Sequence, residues 1–208
     1  MINLKVKDIE LPAKWLEVLA KVQEVFPEAL IAGGALRDLI LGREIKDIDV
    51  FVRSRGEETQ AALASIYGDA KAEHPDLVRD YGENVPELQG VYTLHVGDGD
   101  RDWAPDSPVS DDEYCPFQII ALNQDVTPDS CLGRFDFGIC RVATDGKTVF
   151  IDPAFTKDIV AHTFTLLFCN KRESSMKRFT RLTDEKYRGW TLVDPDAHQH
   201  LRADDFFL

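Results

Sequence analysis

The sequence has no C-x-x-C pair, no long apolar run and no surplus of positive charge, and each absence removes a class of protein. Its four cysteines, Cys115, Cys131, Cys140 and Cys169, stand far apart, which excludes a zinc ribbon and a thioredoxin-type redox motif. They are expected to be reduced and to behave as small buried hydrophobes. Of the histidines, only His198 and His200 are close neighbours, and they lie in a polar stretch typical of solvated chain. No segment approaches the roughly 18 to 20 consecutive apolar residues that span a bilayer, and the opening MINLKVKDIE is broken by charge where a signal peptide has an apolar centre. A cytoplasmic protein without a membrane partner is the expectation. Lys and Arg number 24 against 37 Asp and Glu, a net charge of −13 over 208 residues. General DNA binding draws its affinity from cations that neutralise phosphates, and this chain offers no broad basic surface, so any nucleic-acid contact must be local.

What is present supports a folded core, with 44% hydrophobic and 10% aromatic residues. Pro12, Trp15, Leu19, Val22 and Phe26 recur at helical spacing and predict a helix over about 12–26. ALIAGG (29–34) reads as a strand ending in paired glycines, 35–42 as a helix ending at Gly42, and DIDVFV (47–52) as a strand. A helix over 57–67 and strands over 91–96, 117–122, 134–143 and 163–168 follow, with a hairpin at Asp145-Gly146 and a helix over 173–187. In 134–143 the alternation places Phe135, Phe137 and Ile139 on one face and Asp136, Gly138 and Cys140 on the other. Between Gly97 and Glu113 seven acidic residues oppose only Arg101, so this stretch holds −6 of the −13 and reads as an inserted acidic loop. Asp98, Asp100 and Asp102 begin like a calcium loop, but Trp103 and Val109 occupy the positions that need Gly and Glu. One domain is expected, with 1–170 as its body and 171–208 as a basic helix and tail packed on it.

The chemistry concentrates in two places. Asp47 and Asp49, one residue apart on a predicted strand, project from one face while Ile48 and Val50 enter the core. Two such carboxylates can hold a pair of Mg²⁺ ions, the arrangement that serves phosphoryl and nucleotidyl transfer. Upstream, Gly33-Gly34 ends a strand and opens a helix, leaving bare backbone N–H groups where phosphate oxygens can approach, with Arg37 one turn on. The second place is the one basic zone, in which Arg178 and Arg181 share a helical face. A solvated basic helix that balances the acidic loop is the alternative there.

IAGGALRDLILGREIKDIDVFV (31–52) resembles the head-domain signature of class II CCA-adding enzymes and bacterial poly(A) polymerases, members of the polymerase-beta-like nucleotidyltransferase superfamily. The resemblance implies an α+β nucleotidyltransferase fold, a mixed β-sheet flanked by helices. It places Asp47 and Asp49 as metal ligands, and Gly33, Gly34 and Arg37 beside the nucleoside triphosphate. The superfamily needs a third carboxylate, for which Asp136 in RFDFGIC is the candidate, as a further metal ligand placed to help deprotonate the acceptor oxygen, with Asp125 and Asp152 as rivals. SMKRFTRLTDEKYRGW (175–190) is similar to the helix whose cations face the triphosphate, which assigns Arg178, Arg181 and Lys186 to nucleotide binding. Two Mg²⁺ ions, with Mn²⁺ as substitute, are the implied cofactors. The gap between Asp49 and Asp136 is longer than in CCA-adding enzymes, and the chain ends where those enzymes continue into tRNA-holding domains. In this it resembles compact nucleotidyltransferase-like proteins of bacteriophage and bacterial genomes. The expected activity is transfer of a nucleoside monophosphate from an NTP to an acceptor with release of pyrophosphate, the acceptor being a tRNA end or other RNA, a protein or a small molecule. The competing expectation is a non-catalytic protein that keeps the fold to hold a nucleotide or to block a host factor.

Overall fold

The computed structural model describes residues 1–5, 9–67, 71–72, 87–94, 117–168 and 172–195. The acidic stretch 97–113, Cys115, Cys169, His198 and His200 lie outside them. The chain begins with strand β1 (Ile2–Lys5) and helix α1 (Ala13–Val25), whose apolar stripe buries Trp15, Val18, Leu19 and Val22. Pro12 stands at the N-cap, where a missing N–H costs nothing. Strand β2 (Leu30–Ala32) runs into Gly33, helix α2 (Gly34–Ile40), strand β3 (Ile48–Arg53) and helix α3 (Glu58–Tyr67). Strands β4 (Lys71–Ala72), β5 (Leu88–Leu94) and β6 (Phe117–Leu122) follow, then helix α4 (Pro128–Gly133). The hairpin β7 (Val142–Thr144) and β8 (Thr148–Ile151) turns through Gly146 at φ 86°, as the Asp-Gly pair predicts. Helix α5 (Pro153–Ala161), strand β9 (Thr163–Thr165), helix α6 (Arg172–Glu185) and strand β10 (Thr191–Val193) complete the order.

Among the described residues, eight strands form one mixed sheet in the order β1-β8-β7-β2-β3-β6-β5-β4. Within this sheet only β3 and β6 pair in parallel, every other neighbour being antiparallel, and β9 and β10 form a separate parallel pair. Strand β3 sits near the centre, so alternate residues face two apolar layers. Ile48, Val50 and Val52 pack with α1, Leu36 and Leu63 on one side, and Phe51 packs with Leu88, Val91, Leu122 and Leu132 on the other. A third cluster, Phe137, Ile139, Cys140, Phe164, Leu182 and Tyr187, fastens α6 to the body. Cys131 and Cys140 are free and buried, as expected.

The strand expected over 134–143 is not formed. Residues Gly138–Cys140 make a single 3₁₀ turn, and only Val142–Thr144 join the sheet. The cause is a close approach that alternation cannot reveal: a Cβ at position 138 would stand 2.7 Å from Asp158 Oδ2 and 2.9 Å from Ala154 Cβ, so the backbone folds against α5 where only glycine fits. The two-face reading fails with it, because Phe137, Ile139 and Cys140 enter one cluster together. The strand expected over 163–168 is likewise shorter, and β1, α4, α5 and β10 are additions that sequence pattern did not mark.

Asp158 is fully buried and accepts from Thr163 Oγ1 at 2.8 Å, Thr165 Oγ1 at 2.5 Å and the Thr165 amide at 3.0 Å, locking α5 to β9. Asp158→Ala strands these donors and should cost about 2–3 kcal/mol. A thermal melt should show the midpoint falling by roughly 5–10 °C.

Candidate active site

The sequence signals converge on one cleft of about 280 Å³. Gly34, Arg37, Asp47, Asp49, Asp136, Arg178, Arg181 and Lys186 all line it. Gly33 stands just behind, in the left-handed region at φ 87°, and a Cβ there would lie 2.7 Å from the Phe135 ring. The glycine therefore serves both a backbone turn and the seat of an aromatic side chain.

Asp47 immediately precedes β3 and Asp49 is its second residue, while Ile48 between them is buried. The two carboxylates thus share the open face at the start of a central strand. The Asp49 carboxyl is pushed up to about 7, first by burial and then by the neighbouring charge of Asp47, with Arg178 pulling the other way. Two hard oxygen donors that repel one another suit a divalent cation. Among the described residues no three Asp, Glu, His or Cys side chains gather as one ligand set.

Asp136 is buried in the same cleft but not on a strand. Its Oδ1 accepts from the Phe137 amide at 3.0 Å, and its Oδ2 accepts from Arg178 Nη1 at 2.5 Å. The rivals lie elsewhere in role: Asp125 pairs with Arg53 at the surface, and Asp152 caps α5 through the Ala154 amide.

Arg37 and Lys186 are committed to Asp38. Arg37 Nε donates to Asp38 Oδ1 at 2.6 Å and to Tyr187 Oη at 2.9 Å, Tyr187 Oη donates to Asp38 Oδ1 at 2.5 Å, and Lys186 Nζ donates to Asp38 Oδ2 at 2.8 Å. Burial works against the Asp38 charge, but Arg37, then Lys186 and Tyr187, hold its carboxyl below the usual range. Arg37 Nη2 has no hydrogen-bond partner among the described residues, so it can still serve a ligand in the cleft. Arg181 is exposed at the rim and forms no ion pair among the described residues. Sequence reasoning missed Arg134, which also lines the cleft: it forms a long ion pair with Glu87 at 3.6 Å, but its three buried guanidinium nitrogens have no hydrogen-bond acceptor among the described residues. Its place directly before Phe135 and Asp136 was the available signal.

The fold has the same architecture as just under half of several solved CCA-adding and tRNA-processing enzymes. A CCA-adding enzyme solved with CTP superposes with a TM-score of 0.64 at 16% identity, over 99% of this chain and 47% of that one. The Thermotoga maritima CCA-adding enzyme complexed with tRNA superposes at 0.61 and 16% identity, over 97% and 45%. In sequence, the CCA-adding enzyme of Streptococcus pyogenes serotype M2 (strain MGAS10270) is 46% identical over 139 residues, 67% of this chain and 30% of that enzyme. The chain thus spans about a third of the length of this curated relative. The class is the nucleotidyltransferase fold of the CCA-adding head. Within it, residues 10–162 match the Gabija anti-defense 2 family, and the chain belongs to that family.

The Asp47/Asp49 pair predicts a pH-dependent penalty. Because the folded-state value of Asp49 lies above its unfolded value, ionising it costs stability, and the cost grows from about pH 4 to completion above about pH 7. In metal-free buffer at pH 8, Asp49→Asn should therefore melt several degrees above wild type, each kcal/mol being worth about 2–4 °C. The gap should close near pH 4. Added Mg²⁺ should raise the wild-type midpoint more than that of the variant.

Proposed function

We propose that this chain is a Mg²⁺-dependent nucleotidyltransferase that moves a nucleoside monophosphate from an NTP to an acceptor and releases pyrophosphate. The observation that carries the reading is the Asp47/Asp49 pair at the head of β3, facing the same cleft as Gly34, Arg178 and Arg181. Asp47 and Asp49 would hold Mg²⁺, with Mn²⁺ as substitute, and Asp136 with its Arg178 partner would bound the reacting centre. When bound, the ions supply positive charge to the phosphate oxygens and lower the cost of attack at the α-phosphorus. Arg181 and the spare Nη2 of Arg37 supply charge-assisted donors to the triphosphate. Gly34 keeps the wall free of side chain so that phosphate can approach backbone.

A second reading is favoured by the family description and by the pairing of cations. Arg37, Lys186 and Arg178 are all engaged by carboxylates, as would suit a protein that sequesters a nucleotide or blocks a defence component without turnover. Incubation with radiolabelled NTP, Mg²⁺ and either total RNA or a cell lysate separates the two. The catalytic reading expects label on a macromolecule and free pyrophosphate. It also expects Asp47→Asn and Asp49→Asn each to reduce transfer by at least about a thousandfold, some 4 kcal/mol, with the fold intact by circular dichroism. Arg181→Ala should weaken NTP binding about tenfold in calorimetry, a loss of roughly 1.4 kcal/mol. NTP binding without any transfer would support sequestration instead.

A further inference from the structure

The carboxylates occupy one end of the cleft only. Two residues along β3 from Asp49, about 7 Å at roughly 3.3 Å per residue, the lining turns apolar. Phe51 there faces Ile120 across the β3–β6 register, and Ile120 faces Val91 across β5–β6. Phe135 meets Phe51 edge-on with ring centroids 5.9 Å apart. At the far end Leu88 pairs with Leu122, and Arg134 stands beside them. Arg134 Nη1 forms a long ion pair with Glu87 at 3.6 Å, and among the described residues no oxygen accepts a hydrogen bond from its three buried nitrogens. Glu87 balances the charge, but buried guanidinium N–H donors without a hydrogen-bond acceptor are disfavoured. This position calls for an oxygen brought from outside.

We propose that the acceptor is a protein tyrosine, its phenolic oxygen at the Asp47/Asp49 end, its ring along the Phe51 ledge and its backbone carbonyl on Arg134. The assignment rests on the nucleotidyltransferase reading above. A tyrosine ring with its hydroxyl reaches about 6 to 7 Å, the length of the two-residue step from ledge to carboxylates. Its edge and face suit the T-shaped Phe51–Phe135 pair. A serine or threonine hydroxyl brings no apolar surface to the ledge. An RNA strand needs cations that follow its phosphates, whereas this half of the cleft is hydrocarbon apart from Arg134. In the transfer the phenolic oxygen bonds to the α-phosphorus and the bond from that phosphorus to the bridging oxygen breaks. Pyrophosphate leaves with the electron pair, and the phenolic proton passes to water.

The test uses the full chain with Mg²⁺, NTPs labelled at the α-phosphate, and five probes: N-acetyl-tyrosine amide, N-acetyl-serine amide, N-acetyl-phenylalanine amide, total RNA and the protein of a cell lysate. Label should enter the tyrosine amide at least tenfold faster than the serine amide or RNA, and the phenylalanine amide should compete without being labelled. Arg134→Gln should raise KM for the tyrosine amide at least tenfold while NTP affinity stays within twofold. If that variant fails to fold, Phe51→Leu should give the same split. Preferential labelling of serine or RNA, or an unchanged KM in the folded variant, overturns the tyrosine assignment and leaves the transferase standing. Absence of label on every probe and on lysate protein overturns the nucleotidyltransferase reading and this assignment with it.

Discussion

Asp38 is a single buried carboxylate on which both walls of the cleft converge. Arg37 beside it, Tyr187 and Lys186 after α6 all bind its two oxygens, so the short helix that follows the glycine turn is tied to the end of the basic helix. The Arg37 guanidinium also lies 5.1 Å from the centroid of the Tyr187 ring, and Tyr187 is itself fully buried among Phe164 and Trp190. A charged group this deep is tolerable only when its partners are complete, because the low dielectric that strengthens each contact also penalises any vacancy. The position of Arg178 and Arg181 over the carboxylates depends on that tie. Two of the cations that composition offers for phosphate are consequently engaged in architecture.

The rest of the cleft is organised by contrast of charge along one sheet face. At the start of β3, Asp47 and Asp49 repel one another and Arg178 partly relieves them while bonded to Asp136. Two residues further, the same face is aromatic and aliphatic, closed by Phe135 lying over Gly33. The period of two along a strand makes this possible: each step of two keeps the side chain on the same face while changing its chemistry. A site for phosphate and metal and a site for an apolar group therefore share one wall without intervening structure.

Much of this was legible residue by residue. The stripe from Trp15 to Phe26, the strand 117–122, the Asp-Gly hairpin and the run from Gly33 to Val52 carry local signals: helical spacing, a left-handed turn, and carboxylates alternating with core residues. These depend on neighbours within a few positions, which is why pattern suffices. RFDFGIC was misread because its alternation is real but its backbone is governed by α5, through a contact at Gly138 that separates residues about twenty positions apart. The short edge strand β1 and the late strand β10 exist by pairing with β8 and β9, and a strand defined by its partner leaves little trace in its own composition.

The amino-acid sequence by itself determined the chemistry that could be present: acidic overall, two same-face carboxylates, a paired-glycine turn and one basic helix, because identity and spacing decide charge, donor type and face. Tertiary structure alone decided which of these groups remain available. Asp38 claims Arg37 and Lys186, Asp136 claims Arg178, Arg181 stays at the rim, and Arg134 enters the cleft with only the long Glu87 ion pair and no hydrogen-bond acceptor among the described residues. Whether a cation is a partner or a binding group depends on which carboxylate the fold brings within about 3 Å of it, and that distance is set by packing between segments as much as 150 residues apart.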